Sequence, residues 1–347
     1  MTDNRVMLKR LANITYSHAD IEATRKFLHD FGFTEVAQIG DRYYYRGYGE
    51  LPYIYVAEKA EGGKAVFLGA AFEAESKVEL EKASKLKGAS EIKKLDGPGG
   101  GYIVTIPDPW GVPFHVIWGQ QLVESLVPKD PTKPTNIGIA NVNIKARPAG
   151  DFQRFDNSSI VPIHKLGHVV LEVPSYLEAK EFYVKQFNLT PSDILKMPGE
   201  DGPEIGAFLH LDRGDERVDH HSMYFQPSLT GLKVPQIHHS AYEVFDVDHE
   251  FRAHEELKAK GYTSAWGVGR HILGSQLFDY WHQSGDGFNV EHYTDGDLVN
   301  EHTPVGVHTV DVGGPPSART FSTWGPEFGE KFLTFAPIGF IPKAVTA

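Results

Sequence analysis

The chain has 347 residues, enough for roughly two domains at ~150 residues each. Hydrophobic residues make up 41% and charged residues 23%, and 21 Phe, 15 Tyr and 5 Trp provide enough apolar surface to exclude disorder over most of the length. A net charge of −12 argues against a nucleic-acid or anionic-membrane binder, and the absence of cysteine removes disulfides, thiolate metal sites and a Cys nucleophile.

The N-terminus, MTDNRVMLKR, lacks the apolar stretch of a signal peptide, and no run of ~18 apolar residues follows. A soluble, cytoplasmic protein is the expectation. Residues 11–33, LANITYSHADIEATRKFLHDFGF, read as a strand, a turn and a helix. Asp20 is the expected helix cap, and Ala23, Phe27 and Phe31 form the apolar stripe. Residues 108–119, DPWGVPFHVIWG, read as a Gly turn and an alternating strand that closes the first half.

The Pro-rich stretch 125–160, with VPKDPTKPTN and KARPAGDF, reads as a surface linker. Residues 166–189, LGHVVLEVPSYLEAKEFYVKQFNL, then repeat the strand–turn–helix pattern. Ser175 caps this helix with Glu178 as capping-box partner, and Tyr176, Ala179, Tyr183 and Phe187 recur at helical spacing. Residues 284–297, SGDGFNVEHYTDGD, close the second half as 108–119 close the first. The repetition predicts an α+β fold of two similar domains built from βαβββ modules. The expected divisions are a first domain over 1–124, a linker over 125–160, a second domain over 161–310 and an extension over 311–347 packed on the second domain.

Histidines concentrate in the second half. DHHSMYF occupies 219–225 and QIHHSAYEV occupies 236–244. In a regular strand alternate residues face opposite ways, so His239, Ala241 and Glu243 point to one side and His238, Ser240 and Tyr242 to the other. One histidine of each pair can then serve a given site, and the same phase argument separates His220 from His221. His168 in KLGHVVLEV and Glu291 in FNVEHY are polar residues in runs otherwise suited to burial, and buried imidazoles and carboxylates need partners. Two His and one carboxylate with open positions suit non-haem Fe(II) and oxygen chemistry. In the first half, Asn13 corresponds to His168, Gly69 approximately to His239 and His115 to Glu291. That half keeps the framework without the donor set.

The segment GRHILGSQLFDYWHQSGDGFNVE, 269–291, resembles the signature of type I extradiol ring-cleavage dioxygenases of the vicinal oxygen chelate superfamily. There a G-x-H is followed nine residues on by Tyr, then a turn, then a metal-binding Glu. The resemblance spans roughly residues 5–310. It implies His168, His239 and Glu291 as metal ligands, with Fe(II) the cofactor and Mn(II) fitting the same donors. It implies His221 as the acid–base group, taking a proton from substrate and returning one as the O–O bond breaks, and His271 and Tyr280 as hydrogen-bonding groups for substrate oxygens. The implied reaction is O2-dependent opening of a catechol-type ring, in aromatic catabolism, by a homo-oligomeric enzyme. The alternatives are a glyoxalase- or isomerase-type metalloenzyme and a non-catalytic ligand-binding protein of the same fold. One departure stands out: the family's Asp-Pro-x-Gly turn is Ser284-Gly285-Asp286-Gly287 here, whereas the first half retains Asp108-Pro109-Trp110-Gly111. Tyr242, Phe278, Trp281 and Tyr293 are candidate pocket aromatics. His164, His238, His254, His282 and His292 read as ordinary surface or core histidines, with His238 and His292 adjacent to ligands.

Overall fold

The computed structural model describes residues 4–125, 160–227, 233–283, 288–310, 321–329 and 332. The turn at 284–287 and nearly all of the stretch expected as a linker lie outside the described residues. The first half runs β1 (Leu8–His18), α1 (Ile21–Phe31), β2 (Thr34–Ile39), β3 (Arg42–Arg46), β4 (Tyr55–Lys59), β5 (Val66–Ala74), α2 (Lys77–Ala83), β6 (Lys93–Lys94), β7 (Tyr102–Pro107) and β8 (Pro113–Trp118). The second runs β9 (Leu166–Val173), α3 (Tyr176–Gln186), β10 (Leu189–Lys196), β11 (Glu204–Leu211), β12 (Val218–Asp219), β13 (Met223–Pro227), β14 (Gln236–Glu243), α4 (Val247–Ala259), β15 (Thr263–His271), β16 (Leu277–His282) and β17 (Asn289–Thr294). Three short strands follow: β18 (Leu298–Val299), β19 (Gly306–Thr309) and β20 (Ser322–Trp324).

Each half is therefore two βαβββ modules joined into one mixed sheet. The order β2-β3-β4-β1-β5-β8-β7-β6 in the first half recurs as β10-β11-β13-β9-β14-β17-β16-β15 in the second. In the second half β19 adds beside β10 and β20 beside β15, extending the sheet to 10 strands. Thus the chain beyond 310 contributes a strand to the second sheet, and Phe328 and Phe332 pack on Trp266. The central strands β9, β14 and β17 are joined by parallel and antiparallel pairings and are buried almost throughout, as strands covered on both faces must be.

The helix starts follow capping chemistry. Ser175 accepts from the Glu178 amide and Asp20 from the Ala23 amide, each satisfying an orphan donor of the first turn. The α1 stripe differs by one position from the expected one. Ala23 is half-buried, while Thr24, Phe27, Leu28 and Phe31 face the core. Both halves share one apolar core. Phe31 stacks on His292 with ring centroids 3.6 Å apart, and His292 Nε2 donates to the Phe31 carbonyl at 2.8 Å. Tyr242 sits among Phe31, Phe33 and Tyr55 at the same seam, so it is core between the halves and not a pocket wall. Trp281 is likewise buried core, its indole donating to Asp279.

Candidate active site

Three adjacent strands build the centre. His168 on β9, Ala241 on β14 and Glu291 on β17 form one cross-strand row. Ala241 contributes only a methyl, so the longer side chains on either side reach one another over it. His239, two residues from Ala241 on the same face, completes the group. His168 Nε2 lies 3.0 Å from Glu291 Oε2, and His239 Nε2 lies 3.3 Å from both. All three donors fall within 4.8 Å of one another, and all three residues are buried. Glu291 Oε1 has no hydrogen-bond partner. Two imidazole nitrogens pointing at each other and a buried, half-satisfied carboxylate are costly without a cation, and a divalent metal fits this donor set. Burial pushes Glu291 up, but His168 and His239 outweigh it and hold the carboxyl well below its usual range.

The remaining predicted residues surround the same point. The ring of His221 lies 4.1 Å from that of His168, centroid to centroid. Burial, with His168, His220, His271 and His239 nearby, holds His221 well below the ordinary imidazole value, so it is neutral and able to accept a proton. Tyr280 pairs with Glu291 across β16 and β17. Its hydroxyl is 3.0 Å from His271 Nε2, and His271 Nδ1 is 3.2 Å from the Phe321 carbonyl. Burial lowers His271 to about 4, whereas burial and the Glu291 charge push the Tyr280 phenol well above its usual value. Since His271 Nδ1–H donates to the Phe321 carbonyl, its bare Nε2 accepts the Tyr280 proton, and the phenol oxygen is left able to accept.

These groups line a cavity of about 540 Å³, with Val170, Leu195, Phe208, Trp266 and Ile272 supplying an apolar wall. That volume suits a small aromatic ligand. A second, more polar cavity of about 320 Å³ meets the first at His168, His221 and Gln276, and Tyr293 lines it.

Strict alternation breaks down at both histidine pairs. β14 carries a bulge between Ile237 and His239, so His238 is the extra residue, and both histidines line the cavity. His238 Nδ1 is 2.6 Å from His239 Nδ1. Likewise His220 and His221 precede β13 and lie outside any strand, so alternation does not apply and their Nδ1 atoms meet at 3.1 Å. Asp193 and His308 also join this region, and neither was singled out by the sequence motifs. Asp193 is an acidic residue in the strand TPSDILK, the same kind of anomaly that singled out His168. His308 carried no local signal.

A sequence profile described as the Glyoxalase/Bleomycin resistance protein/Dioxygenase superfamily matches residues 165–291. Metapyrocatechase 2 of Cupriavidus necator is 30% identical over 169 residues, 49% of this chain and 47% of that protein, so the match spans about half the relative's length. The fold resembles that of homoprotocatechuate 2,3-dioxygenase from Brevibacterium fuscum in its anaerobic complex with 3,4-dihydroxyphenylacetate. The TM-score is 0.74 at 16% identity, over 97% of this chain and 95% of that one. It also resembles a Mn(II)-bound glyoxalase from Novosphingobium aromaticivorans, with TM-score 0.72 at 21% identity over 95% of each chain.

Proposed function

Residues 165–291 form a domain of the glyoxalase/bleomycin resistance protein/dioxygenase superfamily, and from that premise we propose that this chain is an Fe(II)-dependent extradiol dioxygenase that opens a catechol-type ring with O2. One observation carries the reading: the His168, His239 and Glu291 donors converge at a cavity that also holds His221, His271 and Tyr280. We assign the first three as metal ligands and residues 161–310 as the catalytic domain, with 1–124 its degenerate partner.

Fe(II) bound by this set would supply a common attachment point and an electron path between a catecholate and O2. The chain's own residues do the rest. His221, neutral in its buried seat, takes a substrate hydroxyl proton and returns it to a leaving oxygen. The Tyr280 oxygen, its own proton held by His271 Nε2, accepts from a substrate hydroxyl and so selects the ring orientation. Trp266, Phe208 and Val170 hold the ring plane and exclude water. Mn(II) suits the same donors.

A glyoxalase-type enzyme is the second reading, favoured by the likeness to the Mn(II)-bound glyoxalase over 95% of the chain. Simple Lewis-acid proton transfer has no evident use for the Tyr280–His271 pair, which sets this reading second. The deciding experiment loads the protein anaerobically with Fe(II), admits oxygen, and follows oxygen uptake and visible absorbance with a panel of catechols. Stoichiometric uptake with a yellow ring-opened product is expected. Bound metal with no uptake on any catechol overturns the proposal in favour of the second reading.

A further inference from the structure

A chain of polar side chains leads away from His221 through its Nδ1 atom. His221 Nδ1 is 3.1 Å from His220 Nδ1. His220 Nε2 is 2.7 Å from Asp193 Oδ2, and the other Asp193 oxygen is 2.8 Å from His308 Nε2. Asp193, His220 and His221 are buried, whereas the His308 side chain is 43% exposed, so the chain runs from the interior to the surface.

The protein makes room for this arrangement. Gly274 packs flat against the His220 ring, and a Cβ there would lie 2.9 Å from Nδ1. Gly306, which pairs with Asp193 between β10 and β19, would collide with the Asp193 carboxylate if it carried one. Ser192 Oγ donates to the His220 carbonyl, fixing the backbone beneath the ring. Phe208 packs against both imidazoles. The His220 ring is therefore held in place, with both its nitrogens engaged.

The hydrogen-bond partners then set the proton positions. Burial pushes Asp193 up, but His220 and His308 outweigh it, so the group is ionised and can only accept. His220 and His308 each donate an Nε2–H to it. A neutral His220 has no second proton, so its Nδ1 must accept from His221. We propose that Asp193 and His220 are positioning residues that lock His221 in its Nδ1–H tautomer, leaving Nε2 bare as the proton-accepting atom, with His308 anchoring Asp193 from the surface. The inference rests on the role given to His221 above. An Asp–His pair serving packing alone would end at His220; this one continues to the ring that lines the cavity.

The test is long-range 1H–15N NMR of the full chain at pH 8, with 15N-labelled histidine and Zn(II) as a diamagnetic occupant of the same donors. His221 signals are identified by their loss in His221→Gln. The wild-type spectrum should show a protonated Nδ1 and a bare Nε2. His220→Phe, which keeps a ring but removes the acceptor, should shift His221 toward Nε2–H. It should also lower turnover roughly 10-fold or more at little changed KM. His220→Gln, whose amide oxygen still accepts, should restore the tautomer. A wild-type His221 protonated on Nε2, or a His220→Phe spectrum still showing Nδ1–H, overturns the proposal. The spectra need no turnover: if they come out as expected while no catechol is consumed, the positioning stands and the dioxygenase reading falls.

Discussion

In the second half, His168, Ala241 and Glu291 face one another across β9, β14 and β17; in the first half, Asn13, Ala71 and His115 do so across β1, β5 and β8. Even the bulge recurs. Val170 pairs with His239 and Leu171 with Ile237, skipping His238, just as Thr15 pairs with Gly69 and Tyr16 with Phe67, skipping Leu68. The two sheets therefore share register and bulge, and they differ at the donor positions. Where the second half has His239, the first has Gly69 at a φ of 115°, and His115 occupies the space a side chain there would need. His115 is satisfied locally, with Nε2 2.9 Å from the Leu68 carbonyl and Nδ1 2.9 Å from Thr105 Oγ1. Thr105 stands where Tyr280 stands in the second half. Hydrogen bonds to Leu68 and Thr105 tie His115 into a wall in the first half; in the second, two imidazole nitrogens converge on one carboxylate oxygen and leave Glu291 Oε1 without a partner. A duplicated scaffold can thus keep its fold while one copy loses its chemistry, because register and bulge do not depend on the donor side chains.

Four substitutions probe that contrast. The largest effect is expected from His239→Ala, which brings the second half toward the Gly69 state. Bound metal, measured by elemental analysis, should fall to background and activity should vanish with it; a metal-loaded, active variant would refute the ligand assignment. Next comes His221→Gln, which should retain the metal while turnover, followed by oxygen uptake, slows ~10²-fold or more. Loss of metal in this variant would mean that the roles of the two His-His pairs are exchanged.

In the first half the effects should fall on stability alone. Gly69→Ala puts a Cβ 2.5 Å from the Pro113 carbonyl and 2.6 Å from His115 Nε2, at a φ that L residues rarely adopt. A loss of about 3 kcal/mol is expected in denaturant melts, with metal content unchanged. The smallest effect concerns Asp108, in the turn whose counterpart is Ser284–Gly287. Burial pushes Asp108 up to about 6 against the amides of Val112, Trp110 and Gly111. A carboxyl raised in the folded state contributes its stability in full below its ordinary value of 3.8 and loses it as pH rises through 6. Asp108→Asn keeps an acceptor for those amides without the titration. Between pH 4 and pH 7 the wild type should lose on the order of 2 kcal/mol that the variant does not; parallel pH profiles for the two proteins would contradict this.

Local signals carried much of this into the sequence. Ser175 and Asp20 marked helix starts because capping is settled within three residues. His168 and Glu291 stood out as polar residues in apolar runs, and the spacing from His271 to Tyr280 to Glu291 spans two successive hairpins, β15–β16 and β16–β17, so it survives in linear order. The repeat also aligned Asn13, Gly69 and His115 with their counterparts, since the strand runs that carry them kept their pattern while the segments between them changed length. Tertiary structure alone decided the rest. The bulge that brings His238 beside His239 is a property of how β14 pairs with β9, not of the residues HHS. His168 and Glu291 meet over Ala241 although 123 positions separate them. Asp193, His220 and His308 join only because β19 docks beside β10. Each of these features is a contact between segments distant in sequence, fixed by hydrogen-bond register and packing, and neither leaves a trace in the order of residues within a single segment.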